Sequence, residues 1–348
     1  MAEAEIIQLS GRTRRGRGGV TRTRCRAVTG SGRQCRNYAV STSGYCRVHE
    51  TRERAAGTQA GEGRGAGAQA AAAEEPSGFG EFVRRRLAGD YPVDDFGYDP
   101  ELSRTLLLPL MKPLYEKYFR VRTVGIERIP AEGAALLVAN HSGTIPLDGA
   151  VLQYAVATEH PQRRVLRQIA ANLAFRTPFF GPIARKGGAA LANDEDAQEL
   201  LRRGEIVGVF PEGFKGVGKG WSERYRLQRF GRGGFVQLAL RNRVPIIPIA
   251  IVGAEEAYPM IANLRVVARI FGFPYFPITP TFPLLGPLGA IPFPSRWLIE
   301  FGDPIPMDAY PEDAAEDPML VFDLSDRVRD TIQQMLYRNL KLRGNAFF

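Results

Sequence analysis

The chain has 348 residues, 44% of them hydrophobic and 24% charged, with a formal net charge of +9, enough for one substantial core plus an appendage in an ordinary globular composition. The charge sits at one end: residues 1–55 hold twelve arginines, no lysine and four glutamates, eight of the nine net charges, so the pI gives no ground for nucleic-acid binding by the rest of the chain. No apolar run of about 18 residues occurs, so no spanning helix is expected, and the N-terminus lacks the apolar stretch of a secretory signal. The expectation is a cytoplasmic protein, peripheral on the inner face of a membrane if it meets one.

Residues 1–22, rich in Arg, Gly and Thr, read as a disordered arm. Residues 23–50 form a small module holding all three cysteines. Cys25, Cys35, Cys46 and His49 follow the spacing Cys-x9-Cys-x10-Cys-x2-His, which suits a closed tetrahedral Zn²⁺ site; the alternative is three exposed thiols on a basic tail. The odd cysteine count argues against a disulfide framework. A segment this short needs the metal to fold. Its ligand pattern resembles that of the plant Trp-Arg-Cys zinc domain, although "GRQC" lacks the Trp-Arg. Nucleic acid, anionic lipid or a protein partner all fit its arginines. Residues 51–78 are an Ala/Gly-rich linker.

From residue 79 to 348 the pattern is globular. "EFVRRRLAG" and "LSRTLLLPLMKPLYEKYF" (102–119) have helical spacing, the second interrupted by Pro109 and Pro113. "AALLVAN", "EIVGVF" and "VPIIPIAIVG" are short apolar runs of the kind buried on both faces of a sheet, and helical stretches such as "DAQELLRRG" and "GGFVQLALRNR" alternate with them. This order predicts an α/β sandwich around a mostly parallel sheet. The two prolines of "VPIIPIA" suggest an edge strand or a shaped pocket wall. Residues 271–294 carry seven prolines in a strongly apolar stretch; they are either an irregular segment packed on the core or an exposed platform that dips into a bilayer. A closing amphipathic helix is expected from Leu320 to Leu342.

The chemistry concentrates in "VANHSGTIPLDGA" (138–150), where a buried strand runs into Asn140 and His141. A histidine that takes a proton from an alcohol needs a partner fixing its tautomer, and Asp148 is the available carboxylate. The alternative is a strand-capping His141 and an Asp148 that caps the next helix. Three further stretches follow: "GPIARKGG" with Arg185, "VFPEGFKG" with Phe210, Pro211, Glu212, Gly213 and Lys215, and "VPIIPIA" from Val244.

In order and spacing these four blocks resemble those of the glycerolipid acyltransferases, the lysophosphatidate acyltransferase family, over about residues 121–310. The resemblance implies His141 and Asp148 for catalysis, Arg185 and the Phe210–Gly213 turn for the acceptor's phosphate end, and a fourth block beside the substrate. Two departures stand out. Six residues separate His141 from Asp148 where the family usually has four, its spacing putting the acid at Pro146; and Lys215 stands where an Arg is common, a less directional contact. The implied activity is transfer of an acyl group from acyl-CoA or acyl carrier protein to a lysophospholipid hydroxyl, with no cofactor for catalysis beyond the structural zinc of the module. Alternatives are a neutral glycerolipid or glycolipid acceptor, or an inactive relative acting through its zinc module. Glu212 is expected to organise its loop or meet acceptor hydroxyls, and Asn140 with the Ser142 and Gly143 N–H groups to support the oxyanion.

Overall fold

The computed structural model describes residues 78–177 and 180–347. The expected N-terminal arm, the expected zinc module with Cys25, Cys35, Cys46 and His49, and the expected linker up to residue 77 lie outside the described residues. Nine strands occur among the described residues: β1 (Arg122–Val124), β2 (Ala135–Ala139), β3 (Leu166–Ala170), β4 (Ala190–Leu191), β5 (Ile206–Val209), β6 (Ile246–Val252), β7 (Ala262–Asn263), β8 (Pro277–Ile278) and β9 (Leu298–Phe301). Seven form one sheet in the order β1-β9-β6-β2-β5-β3-β4, and β7 pairs with β8 in a separate two-stranded ladder. Every pair in the large sheet is parallel except β6 with β9. The architecture is therefore an α/β fold around a mostly parallel sheet.

Alternation along β2 and β6 divides the core between the two faces. Leu136, Val138, Ile246 and Ala250 meet the helices Asp194–Arg202, Gly234–Asn242 and Pro318–Arg343. Ala135, Leu137, Ile247 and Ile249 meet the helix Leu147–Glu159 together with Tyr115 and Phe119. A strand buried on both faces has no polar side to show, hence the unbroken apolar runs. Each fully buried Leu or Ile here contributes roughly 1.5–3 kcal/mol. The flanking helices start where their sequences say: Asn193 accepts from the Asp196 N–H at 2.6 Å ahead of three acids in the first turn, and Asp317 accepts from the Met319 N–H at 2.9 Å ahead of Pro318.

Two expectations are corrected. Pro109 and Pro113 do not interrupt the helical segment that runs from Pro100 to Tyr118. They sit in its α-helical middle, Leu108–Pro113, flanked by π-helical turns at Ser103–Leu107 and Leu114–Tyr118. A wider turn changes which carbonyl a ring must avoid and which N–H goes missing, so the segment stays continuous. The second correction is that β6 is no edge strand: it lies between β2 and β9 and is buried throughout. Ile246 exchanges backbone bonds with Ile305, so the backbone nitrogens of alternate residues, Pro248 included, face the β9 side. There β9 has just ended at Phe301, and Gly302 N–H donates to the Pro248 carbonyl at 2.7 Å. Pro248 thus omits only one bond, beside a strand end.

Candidate active site

β6, β2 and β5 are adjacent and parallel, so their carboxyl ends open onto one crevice, the usual location of ligand sites in open α/β sheets. β2 delivers Asn140 and His141, β5 delivers Phe210 to Gly213, and β6 delivers Gly253 to Glu256. After His141 the chain turns through Gly143, whose φ of +82° suits glycine; a Cβ there would also lie 3.0 Å from the Ala254 carbonyl oxygen. The turn re-enters a helix at Leu147, which puts Asp148 in its first turn, buried and facing back.

The six intervening residues close the pair. His141 Nδ1 lies 2.7 Å from Asp148 Oδ2, with the His141 side chain 16% and the Asp148 side chain 0% exposed. Oδ2 also accepts from the Ser142 N–H at 2.9 Å, and Oδ1 from the Gly149 N–H at 2.9 Å. The carboxylate accepts only, so the proton of neutral His141 belongs on Nδ1 and its lone pair on Nε2. The Phe210 ring lies against the imidazole with centroids 4.5 Å apart and planes at 32°. The helix-capping alternative fails: the residue before this helix is Pro146, with no side-chain cap bond. His160, the other described histidine, is buried and bonded to the Ile129 carbonyl.

Glu212 organises the loop. Its Oε1 accepts from the His141 N–H at 2.9 Å and its Oε2 from the Gln228 N–H at 2.7 Å. Behind it Lys219 Nζ reaches Glu212 Oε2 at 3.5 Å and Glu255 Oε1 at 3.0 Å, all three side chains being buried. Burial alone would lower the Lys219 pKa; Glu255 and Glu212 outweigh it and hold the ammonium above the ordinary lysine range. Burial pushes the Glu255 carboxyl up, against the pull of Lys219. The neighbouring Glu256 faces the other way, to a bidentate pair with Arg343 at 2.8 and 3.1 Å and to the Tyr225 hydroxyl. The segment Phe214–Val217 then crosses so close to His141 that a Cβ on Gly216 would lie 2.7 Å from the His141 carbonyl oxygen.

Asn140 does not serve an oxyanion. Its amide donates to the Ile251 carbonyl at 3.0 Å and accepts from the Ile251 N–H at 2.7 Å, extending the β2–β6 ladder by a side chain. The Ser142 N–H is also taken, by Asp148, which leaves the Gly143 N–H of the expected set. Arg185 and Lys215 do not converge either. Lys215 lines a hollow of about 410 Å³ with Phe214, Lys219, Asn263, Arg265 and Tyr275. Arg185 lines another of about 400 Å³ with Tyr91, Val93, Phe175 and Lys186, its guanidinium 4.8 Å from the Phe175 centroid. Two members of the first hollow escape sequence reasoning. Tyr275 donates from its hydroxyl to the Thr144 carbonyl at 2.5 Å, inside the His141–Asp148 turn, and burial with the charge of Asp148 pushes its pKa up to about 12. Arg265 lies on a short exposed helix, Arg265–Phe271. Nothing in the spacing marks either, because both lie beyond the fourth block, Tyr275 in the proline-rich stretch and Arg265 just ahead of it. No cluster of three His, Cys, Asp or Glu suited to a metal ion occurs among the described residues.

Residues 120–252, which hold all four blocks, match the acyltransferase family. Uncharacterized proteins of Mycobacterium tuberculosis and Mycobacterium leprae are 53% and 51% identical over 267 residues, 77% of this chain and 75% and 73% of theirs. The mouse protein named DGAT1/2-independent enzyme synthesizing storage lipids is 28% identical over 222 residues, 64% of this chain and 61% of its own. Among solved structures, the 1-acyl-sn-glycerophosphate acyltransferase PlsC from Thermotoga maritima superposes with a TM-score of 0.46 at 19% identity, over 77% of this chain and 90% of that one. By its identity to the mycobacterial proteins along most of their length the chain belongs to their family, and its residues 120–252 are an acyltransferase-family domain.

Proposed function

We propose that the protein is an O-acyltransferase that moves a fatty acyl group from an acyl thioester, acyl-CoA or acyl carrier protein, to a glycerolipid hydroxyl. The observation that carries this reading is the 2.7 Å contact of His141 Nδ1 with Asp148 beside an Nε2 that bonds to nothing among the described residues. Nε2 takes the acceptor's hydroxyl proton as the oxygen attacks the thioester carbonyl. Asp148 holds the ring and balances the imidazolium, and the face of Phe210 adds a cation–π contribution to the charged form. The tetrahedral intermediate collapses by expelling the thiolate, which takes the proton from His141. The Gly143 N–H is the donor on hand for the oxyanion. No covalent acyl-enzyme is required.

For the acceptor we favour a lysophospholipid such as 1-acyl-glycerol-3-phosphate. Its phosphate would sit with Lys215 and Arg265 in the hollow whose wall, Tyr275, bonds to the His141–Asp148 turn. A neutral glycerolipid alcohol is the second reading, supported by the separation of Arg185 from Lys215 and by the storage-lipid synthesis named for the mouse relative. Labelled palmitoyl-CoA with a panel of lysophospholipids and diacylglycerol separates the two. Lysophosphatidate as best substrate, with its KM raised in Lys215→Ala and Arg265→Ala, supports the first; diacylglycerol as best substrate, indifferent to both changes, supports the second. In either case His141→Ala should lower turnover by about 10³-fold or more, and Asp148→Asn by about 10²–10⁴-fold, with the fold intact by circular dichroism. Turnover retained in His141→Ala would falsify the reading.

We propose as well that Cys25, Cys35, Cys46 and His49 hold a structural Zn²⁺. One equivalent of zinc in the purified chain, lost in Cys46→Ser without loss of acyl transfer, is the expected result.

A further inference from the structure

From Ala257 to Ile299 the chain carries Arg265, Arg269 and Arg296 and not one Asp or Glu. The same stretch leaves large apolar side chains open to water. Val266 and Ile270, 72% and 74% exposed, are four residues apart on the helix Arg265–Phe271 and so share one stripe of it. Arg265 and Arg269 repeat that spacing on the adjoining stripe, both exposed, while Ala268 is buried. Beyond β8, Leu284 is 85% exposed and Leu288 63%. Single exposed hydrophobics are common; a concentration of them in one acid-free segment marks a contact surface.

The pattern selects the occupant. An apolar stripe beside a guanidinium stripe suits a helix lying in the plane of an anionic bilayer, with Val and Ile in the acyl boundary and Arg at phosphate level. A second copy of the chain docked symmetrically through this surface would set arginines against arginines with no acid in the segment to meet them. The segment is also joined to the crevice: Tyr275 bonds to Thr144, and Asn263 and Arg265 line the hollow beside it. We infer that the exposed side chains of residues 261–291 dock the protein on an anionic lipid bilayer, with Val266, Ile270 and Leu284 entering the apolar layer.

This goes beyond the acyl-transfer reading, and its test needs no turnover, so either can fail without the other. The full chain is mixed with vesicles of phosphatidylcholine and phosphatidylglycerol, some with brominated acyl chains. In Leu284→Trp, bromines should quench emission that is absent from the parent signal of Trp221 and Trp297. The double variant Val266→Asp, Ile270→Asp should partition onto the vesicles at least about tenfold more weakly than the parent. Three results overturn the inference: vesicle binding with Leu284→Trp emission untouched by bromine, which assigns attraction to the basic residues 1–55; partition of the double variant equal to the parent's; or a parent dimer that the double variant splits, which makes the occupant a second copy. The tryptophan signal does not depend on how the double variant folds.

Discussion

Lys219 is the residue whose removal tells most about the crevice. It is buried between Glu212 and Glu255, and Glu212 in turn holds the backbone of His141 and of Gln228. Lys219→Met leaves two buried carboxylates without their shared cation, which should cost about 3–5 kcal/mol of stability. It should also lower turnover through a displaced His141, whereas Lys219→Arg should recover part of both. Because the two glutamates hold the Lys219 pKa above its unfolded value, its contribution is full below the ordinary lysine range, about pH 10.4, and lost as pH rises through the folded value. Denaturant titrations should therefore show a gap between parent and Lys219→Met that narrows at strongly alkaline pH as Lys219 loses its proton. The gap should narrow also on acidification, because without Lys219 the Glu255 carboxyl, already pushed up by burial, takes up a proton in the variant first. In the sequence, Lys219 stands between two glycines and is not among the residues singled out there. Burial is a property of which loops close over a side chain, and that is decided by contacts far along the chain.

At the scale of elements, what the sequence made legible and what it hid divide along physical lines. β2, β5 and β6 are readable because strands covered on both faces must be apolar throughout, and the helices between them are readable by their stripes. Pro248 misleads because the cost of a strand proline depends on what lies on its nitrogen's side, here the end of β9. The His141–Asp148 approach is legible as residue types, and its closure over six residues depends on a turn through Gly143. Arg185 lines a hollow apart from that of Lys215, and order along the chain does not say which hollow a side chain enters. The segment β7 to β8 bears on the crevice through the bond of Tyr275 to Thr144. Tyr275→Phe should leave that carbonyl without its donor, cost about 0.5–1.5 kcal/mol by thermal unfolding, and lower turnover several-fold with little change in the fold.

Across the whole molecule, the crevice is assembled from distant parts: the end of β2, the loop after β5, Tyr225, the turn after β6 and, through Arg343, the helix Pro318–Arg343. The turn after β6 is thus tied by Glu256 to Arg343 at the end of the last helix, a contact between residues 87 apart in the chain. The adjoining acids Glu255 and Glu256 make this dependence separable by experiment. Glu255→Gln, which disturbs Lys219 and through it Glu212, should reduce turnover more than thermal stability. Glu256→Gln, which weakens the bidentate hold on Arg343, should reduce stability more than turnover. Rate and melting temperature measured side by side on the two variants check this, and equal effects on both quantities would refute it. Neighbours identical in chemistry would then have unlike duties, one tuning the reacting centre and the other fastening the last helix, so a library that treats the two positions as equivalent would average away the division of labour.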